Sequence, residues 1–183
     1  MEARPSPIRP IIAGVLAWLI PGAGHAVMGR WARGIIIFVC INGLFWAGVG
    51  LGGVFTVDPL TQRWWMIAQM STGASGLVAW RNQEHARRDL VSQANLTSPV
   101  PSARPNEAYA WWDRYRKTQA RQGLALVHPT DSVAYAYSGI AGMLNMLCIF
   151  DAVMLALLGR SGEPPWPPRE SKPKPAPAEG TPA

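Results

Sequence analysis

Four stretches of this chain are long and apolar enough to cross a bilayer: Ile11–Met28, Gly34–Val57, Trp64–Trp80 and Val133–Leu158. A helix needs about 20 apolar residues to cover a ~30 Å hydrocarbon core, and each stretch is near that length. Gly34–Val57 carries no charged residue, and Val133–Leu158 carries only Asp151. The mean hydropathy of +0.05 conceals this, because apolar segments are averaged with polar connectors. The expected fold class is therefore all-α: an integral membrane helical protein of about four transmembrane helices. Charged residues make up 15% of the chain, against roughly 25% in ordinary soluble proteins.

The net charge of +6 sits mainly beside the apolar stretches, where it meets anionic head groups. No motif of a nucleic-acid-binding fold occurs, so the lipid bilayer is the expected partner and nucleic acid is not. Cys40 and Cys148 both fall inside apolar stretches and read as small buried hydrophobes, with no pairing pattern.

Residues 1–10 form a short N-terminal segment with Arg4 and Arg9. In 11–28 the apolar run is interrupted by Pro21 and Gly22. A proline lacks the N–H that closes the helical ladder, so a kinked span is the first expectation. A re-entrant hairpin or the apolar region of a signal sequence remain open. The basic turn Gly29–Gly34 allows only an antiparallel helical hairpin, giving a unit over 11–57. In the second stretch, Gly48 and Gly52 have the spacing that lets helices approach closely. The third, 64–80, has Trp64, Trp65 and Trp80 at its ends, as interfacial indoles do. A polar connector follows over 81–131. Its Asn106 caps an amphipathic helix near 106–122, with Tyr109, Trp112, Tyr115 and Arg116 on one side, placed on the membrane surface or against the protein's own loops. The fourth span is 133–158. Eight prolines in 159–183 predict a disordered tail.

With four spans, ten Lys/Arg fall on the side of 29–33 and 81–131 and seven on the other. That bias puts 81–131 in the cytoplasm and both 58–63 and the tail opposite.

The run Ala17–Phe38 resembles the two-transmembrane-helix (TM-two) domain family, through Pro21, Gly22, Gly24, His25, Gly29, Arg30 and Gly34. Val27 and Met28 stand where that family usually has Phe-Tyr. The last span, 137–153, looks like the closing segment of an uncharacterised family of bacterial membrane proteins found in planctomycetes. These resemblances imply a membrane-embedded hairpin in a bacterial inner (cell) membrane protein of several passes, with interaction or signalling roles and no agreed catalytic residues.

No G-x-S-x-G, H-E-x-x-H or phosphate-binding loop is present, so no catalytic residue, cofactor or metal site is assigned and an enzyme is not expected. His25, His85 and His128 lie on separate segments without ligand spacing. His25 reads as a helix-end or turn hydrogen-bonder. The polar residues that stand out in the spans are Asp151, Asn145 and His25. A carboxylate about 12 Å from its helix end is costly in lipid. Asp151 is expected to make a structural hydrogen bond, to Trp46 or an interfacial Arg, rather than to handle a proton or cation. Asn145 lies about 120° from it around the helix. The sequence thus predicts a structural or interaction component with protein partners or as a homo-oligomer. The alternative is a small oligomeric transport or ion-conducting component using Asp151.

Overall fold

The computed structural model describes residues 8–59, 63–96, 105–124, 130–160 and 162. It is all-α, with no strand among the described residues. The helices are α1 (Ile8–Leu19), α2 (Ala23–Val27), α3 (Trp31–Gly52), α4 (Arg63–Met70), α5 (Ala74–Gln93), α6 (Pro105–Arg121) and α7 (Thr130–Leu157), with one 3-10 turn at Val54–Thr56. At 22 and 28 residues, α3 and α7 extend about 33 and 42 Å. Among the described residues they are the two helices long and apolar enough to cross a membrane. The expected tail disorder and His128 fall outside the described residues.

The other two apolar stretches reverse direction at their midpoints, which corrects the expectation of four through-going helices. In the first, Pro21 cannot continue α1, and Gly22 turns the chain at φ 86°. The returning α2 then lies against α1. A side chain at Gly24 would meet the Ala13 carbonyl at 2.5 Å and the Ala17 Cβ at 2.7 Å. A kinked but continuous helix would hold residues 13 and 24 about 16 Å apart. The segment 11–28 is therefore a helical hairpin, and Gly29, at φ 79°, opens the turn into α3.

The stretch 64–80, expected as one helix, breaks at Ser71–Gly73. Gly73 has φ 63°, and Gly76 comes back against the Gln69 carbonyl. From there α5 runs toward the C-terminal end of α3. Ser75 donates to Asn42 in mid-α3 (2.6 Å), and Ala79 packs with Ile41, Phe45 and Val57. Farther along, Gln83 donates to Asp58 (3.2 Å), and Leu90 packs on Phe55. Asp58 and the polar half of α5 are thus on the same end of the molecule, not on opposite ends as charge counting predicts. That count assumes a full crossing, and a reversal within 64–80 removes one.

Helix α7 is the spine. It runs antiparallel to α3, whose Gly48 allows close approach to Ala134 and Ser138. The first hairpin covers the C-terminal half of α7, with Gly14 beside Val153 and Ala13, Met28 and Ala156 clustered. The second covers the N-terminal half, with Trp65 over Gly139 and the Ala68 carbonyl over Gly142. The two reversals meet tip to tip, where the Cβ position of Gly73 is 1.8 Å from the Trp18 carbonyl oxygen. Cys40, expected to be buried, is exposed.

Helix α6 packs on the protein's own α5. Trp111 and Tyr115, one turn apart and stacked at 5.1 Å, bury themselves against Leu90, Val91 and Phe55. Tyr109 is 76% exposed, so the aromatic face is turned from the one expected. Burial pushes the Tyr115 hydroxyl pKa up. Arg87 and then Arg88 hold Glu84 of α5 down at about 2, chiefly through the hydrogen bond from Arg87. Trp111→Ala is expected to cost about 3–5 kcal/mol of local stability and to free α6, whereas Tyr109→Ala is neutral. Limited proteolysis between α5 and α6 reads the difference.

Candidate functional site

Among the described residues, the buried polar side chains of Asn145, Gln69, Ser71 and Thr72 lie where the two hairpin tips meet α7. Pro21 leaves the Ala17 carbonyl without the N–H that a continued helix would supply one turn later. The break at Ser71–Gly73 interrupts the ladder at the Ser71 carbonyl in the same way. Asn145, fully buried near the middle of α7, donates through Nδ2 to both: 3.2 Å to Ala17 O and 2.7 Å to Ser71 O. One side-chain amide thus replaces the backbone donors lost at two chain reversals from different parts of the sequence. Its own Oδ1 makes no hydrogen bond.

A second buried amide continues the polar line toward the α3 C-terminus. Gln69 Nε2 donates to Thr56 O (3.0 Å) and to Ser138 Oγ (2.7 Å), and Ser138 Oγ in turn donates to Ala134 O (2.8 Å). Thr72 Oγ1 closes the tip by donating to Gln69 O at 2.6 Å. Ser138 and Asn145 are seven residues apart, two helical turns, and so share the inner face of α7.

On the other half of α7, His25 Nε2 donates to Asp151 Oδ2 at 2.9 Å. The partner of Asp151 is thus the histidine of the first hairpin, not Trp46 or an arginine. His25 is 2% exposed, and the Asp151 side chain 57%. The hydrogen bond ties α2 to α7, because Gly24, the neighbour of His25, sits against Ala152. Asn145 and Asp151 face different partners, as their angular separation predicts.

The remaining hairpin residues are close-approach points. A side chain at Gly22 would lie 2.1 Å from the Gly34 carbonyl oxygen, so the tip and the first turn of α3 pack backbone to backbone. Arg30 is 8% exposed at the start of α3. An apolar cleft of about 160 Å³ beside the tip is lined by Ile20, Pro21, Ala26, Trp31, Ile35 and Phe38.

Chemically, the tip junction consists of neutral amides, hydroxyls and carbonyls, and their hydrogen bonds hold backbone at the two reversals. His25 is buried and His85 exposed on α5, so these two are not gathered. Among the described residues no three His, Cys, Asp or Glu side chains form a metal-binding group.

Sequence reasoning did not single out Gln69, Ser71 or Ser138. One signal was present. The pattern Ala17-x4-Gly22-Ala23 recurs as Ala68-x4-Gly73-Ala74, and both glycines have positive φ at a chain reversal.

No curated protein and no solved structure matches this chain. A family model described as "Family of unknown function (DUF6677)" matches residues 12–164, which takes in both hairpins, both long helices and α6. The chain belongs to the DUF6677 family.

Proposed function

We infer that this chain is a multi-pass integral protein of the bacterial cell membrane with a structural or protein-interaction role and no catalytic activity. In this reading α3 and α7 cross the bilayer, and the two hairpins enter it from opposite faces without crossing. The first hairpin, with α3, is a membrane-embedded element of the TM-two kind. The observation that carries the placement is the apolar exterior of the long helices. Only 22% and 33% of their apolar windows are buried, whereas a core helix of a soluble protein is mostly covered. Ile35, Ile36, Val39, Leu147 and Phe150 are all at least 60% exposed, a surface that water does not tolerate at this extent. The non-helical backbone at the tips is shielded by protein, as chain reversals at membrane depth must be.

The chemistry at depth supports a structural role over the transport alternative. The donors of Asn145 and Gln69 are spent on backbone and on Ser138, and Asp151 is engaged by His25.

Alkaline carbonate extraction of membranes tests the placement. The protein is expected to stay in the pellet and to dissolve only in detergent. Release into the carbonate supernatant would refute the reading.

A further inference from the structure

We propose that the cleft between the first turn of α1 and the end of α2 binds the head group of an anionic phospholipid, with Arg9 on its phosphodiester and the acyl chains laid along the exposed face of α1. The proposal rests on the membrane placement above.

The cleft encloses about 290 Å³ and is lined by Arg9, Ile12, Val27 and Met28. Ligand pockets begin at roughly 300 Å³, so there is room for a head group while its chains must lie outside. The fold assembles the cleft from separate elements. The return of α2 along α1 brings Met28 beside Ala13, one turn from Arg9. The end of α7 closes the same region, where Gly162 N donates to Met28 O at 2.8 Å.

Charge at this end of the molecule has one sign. Residues 8–14, 26–34 and 155–160 hold Arg9, Arg30, Arg33 and Arg160 and no Asp or Glu. Asp151, farther along α7, is engaged by His25. Arg30 is 8% exposed, and its Nε makes no hydrogen bond. A guanidinium buried without a carboxylate is costly, and an anion held at this end lowers that cost.

The surroundings of the cleft select a lipid over a soluble anion or an acidic peptide. Ile8, Ile11 and Val15 share one face of α1 with Ile12, and together with Val27 they are 56 to 66% exposed outside the cleft. An occupant with one negative group and an apolar remainder covers the arginine and this face at once. Inorganic phosphate or an acidic peptide covers only the arginine. A zwitterionic lipid brings a cation that the arginines of this end repel.

The test is thermal unfolding of the full chain in neutral detergent at low salt, titrated with short-chain phosphatidylglycerol, phosphatidylcholine or inorganic phosphate. Phosphatidylglycerol is expected to raise the melting temperature saturably, and the other two are not. Arg9→Gln should weaken the phosphatidylglycerol midpoint about fivefold or more. Arg116→Gln, the same charge change on the exposed side of α6, should leave it in place. Ile12→Trp fills the cleft without altering charge and should weaken the midpoint as Arg9→Gln does, which keeps the test open should either variant fold poorly. Equal stabilisation by phosphatidylglycerol and phosphatidylcholine, equal stabilisation by phosphate alone, or variants that titrate like the parent would overturn the site. Any of these in protein that still resists carbonate extraction leaves the membrane placement standing. Protein that fails to pellet would instead indict the placement.

Discussion

Asn145→Leu is expected to loosen both hairpins at once. The substitution is nearly isosteric, so packing on the inner face of α7 changes little. It removes the one donor shared by the Ala17 and Ser71 carbonyls. A buried carbonyl stripped of its partner costs about 1–3 kcal/mol, so two give roughly 2–5 kcal/mol, offset in part because the unpartnered Oδ1 also leaves. In detergent this amounts to a melting temperature lower by roughly 5–15 °C. Met146→Leu, on the exposed neighbour, should leave it within error.

Pro21→Ala distinguishes a bridging role for Asn145 from mere packing. An alanine there restores an N–H one turn after Ala17. If Asn145 works by replacing that missing donor, Asn145→Leu should cost less in a Pro21→Ala background than in the parent. Equal costs in both backgrounds would mean that the Ala17 bond contributes nothing.

The long helices were legible because an uncharged run such as Gly34–Val57 can be buried or lipid-facing but not solvated. A break at Pro21–Gly22 was legible too, since the missing N–H is a property of the residue. Its sense was not. A kink and a full reversal use the same residues, and the choice lies in whether Gly24 can press on Ala13 and Ala17. The second reversal was hidden further, because 64–80 reads as one span bounded by tryptophans, and nothing local announces that Gly73 takes a positive φ. That one error also inverted the expected placement of 58–63 relative to 81–131. Asp151 stood out in the sequence as the one charge in an apolar span. Its partner His25 lies 126 residues away and becomes identifiable only once α2 folds back onto α7. The face of α6 was misread because Tyr109 and Trp112 satisfy helical spacing as well as Trp111 and Tyr115 do. Burial by Leu90 and Phe55 selects between them.

Gly73→Ala should be among the most damaging single substitutions in this chain. The added methyl would lie 1.8 Å from the Trp18 oxygen, 2.7 Å from its carbonyl carbon and 2.9 Å from the Leu19 Cα. All three are backbone atoms of the opposing tip, so no side chain can rotate aside. The residue also sits at φ 63°, where a non-glycine residue adds about 1–2 kcal/mol of its own. Relief requires the tips to separate, and separation pulls Asn145 from one of its two carbonyls. The combined cost is expected to exceed about 4 kcal/mol, beyond the range of ordinary substitutions. Gly50→Ala supplies the contrast, because its Cβ position is open and its φ is helical. There alanine should be neutral or stabilising by about 0.5–1 kcal/mol. Monodisperse yield from size exclusion and the melting temperature in the same detergent compare the two. A Gly73→Ala protein that elutes and melts like the parent would show that the tips do not touch.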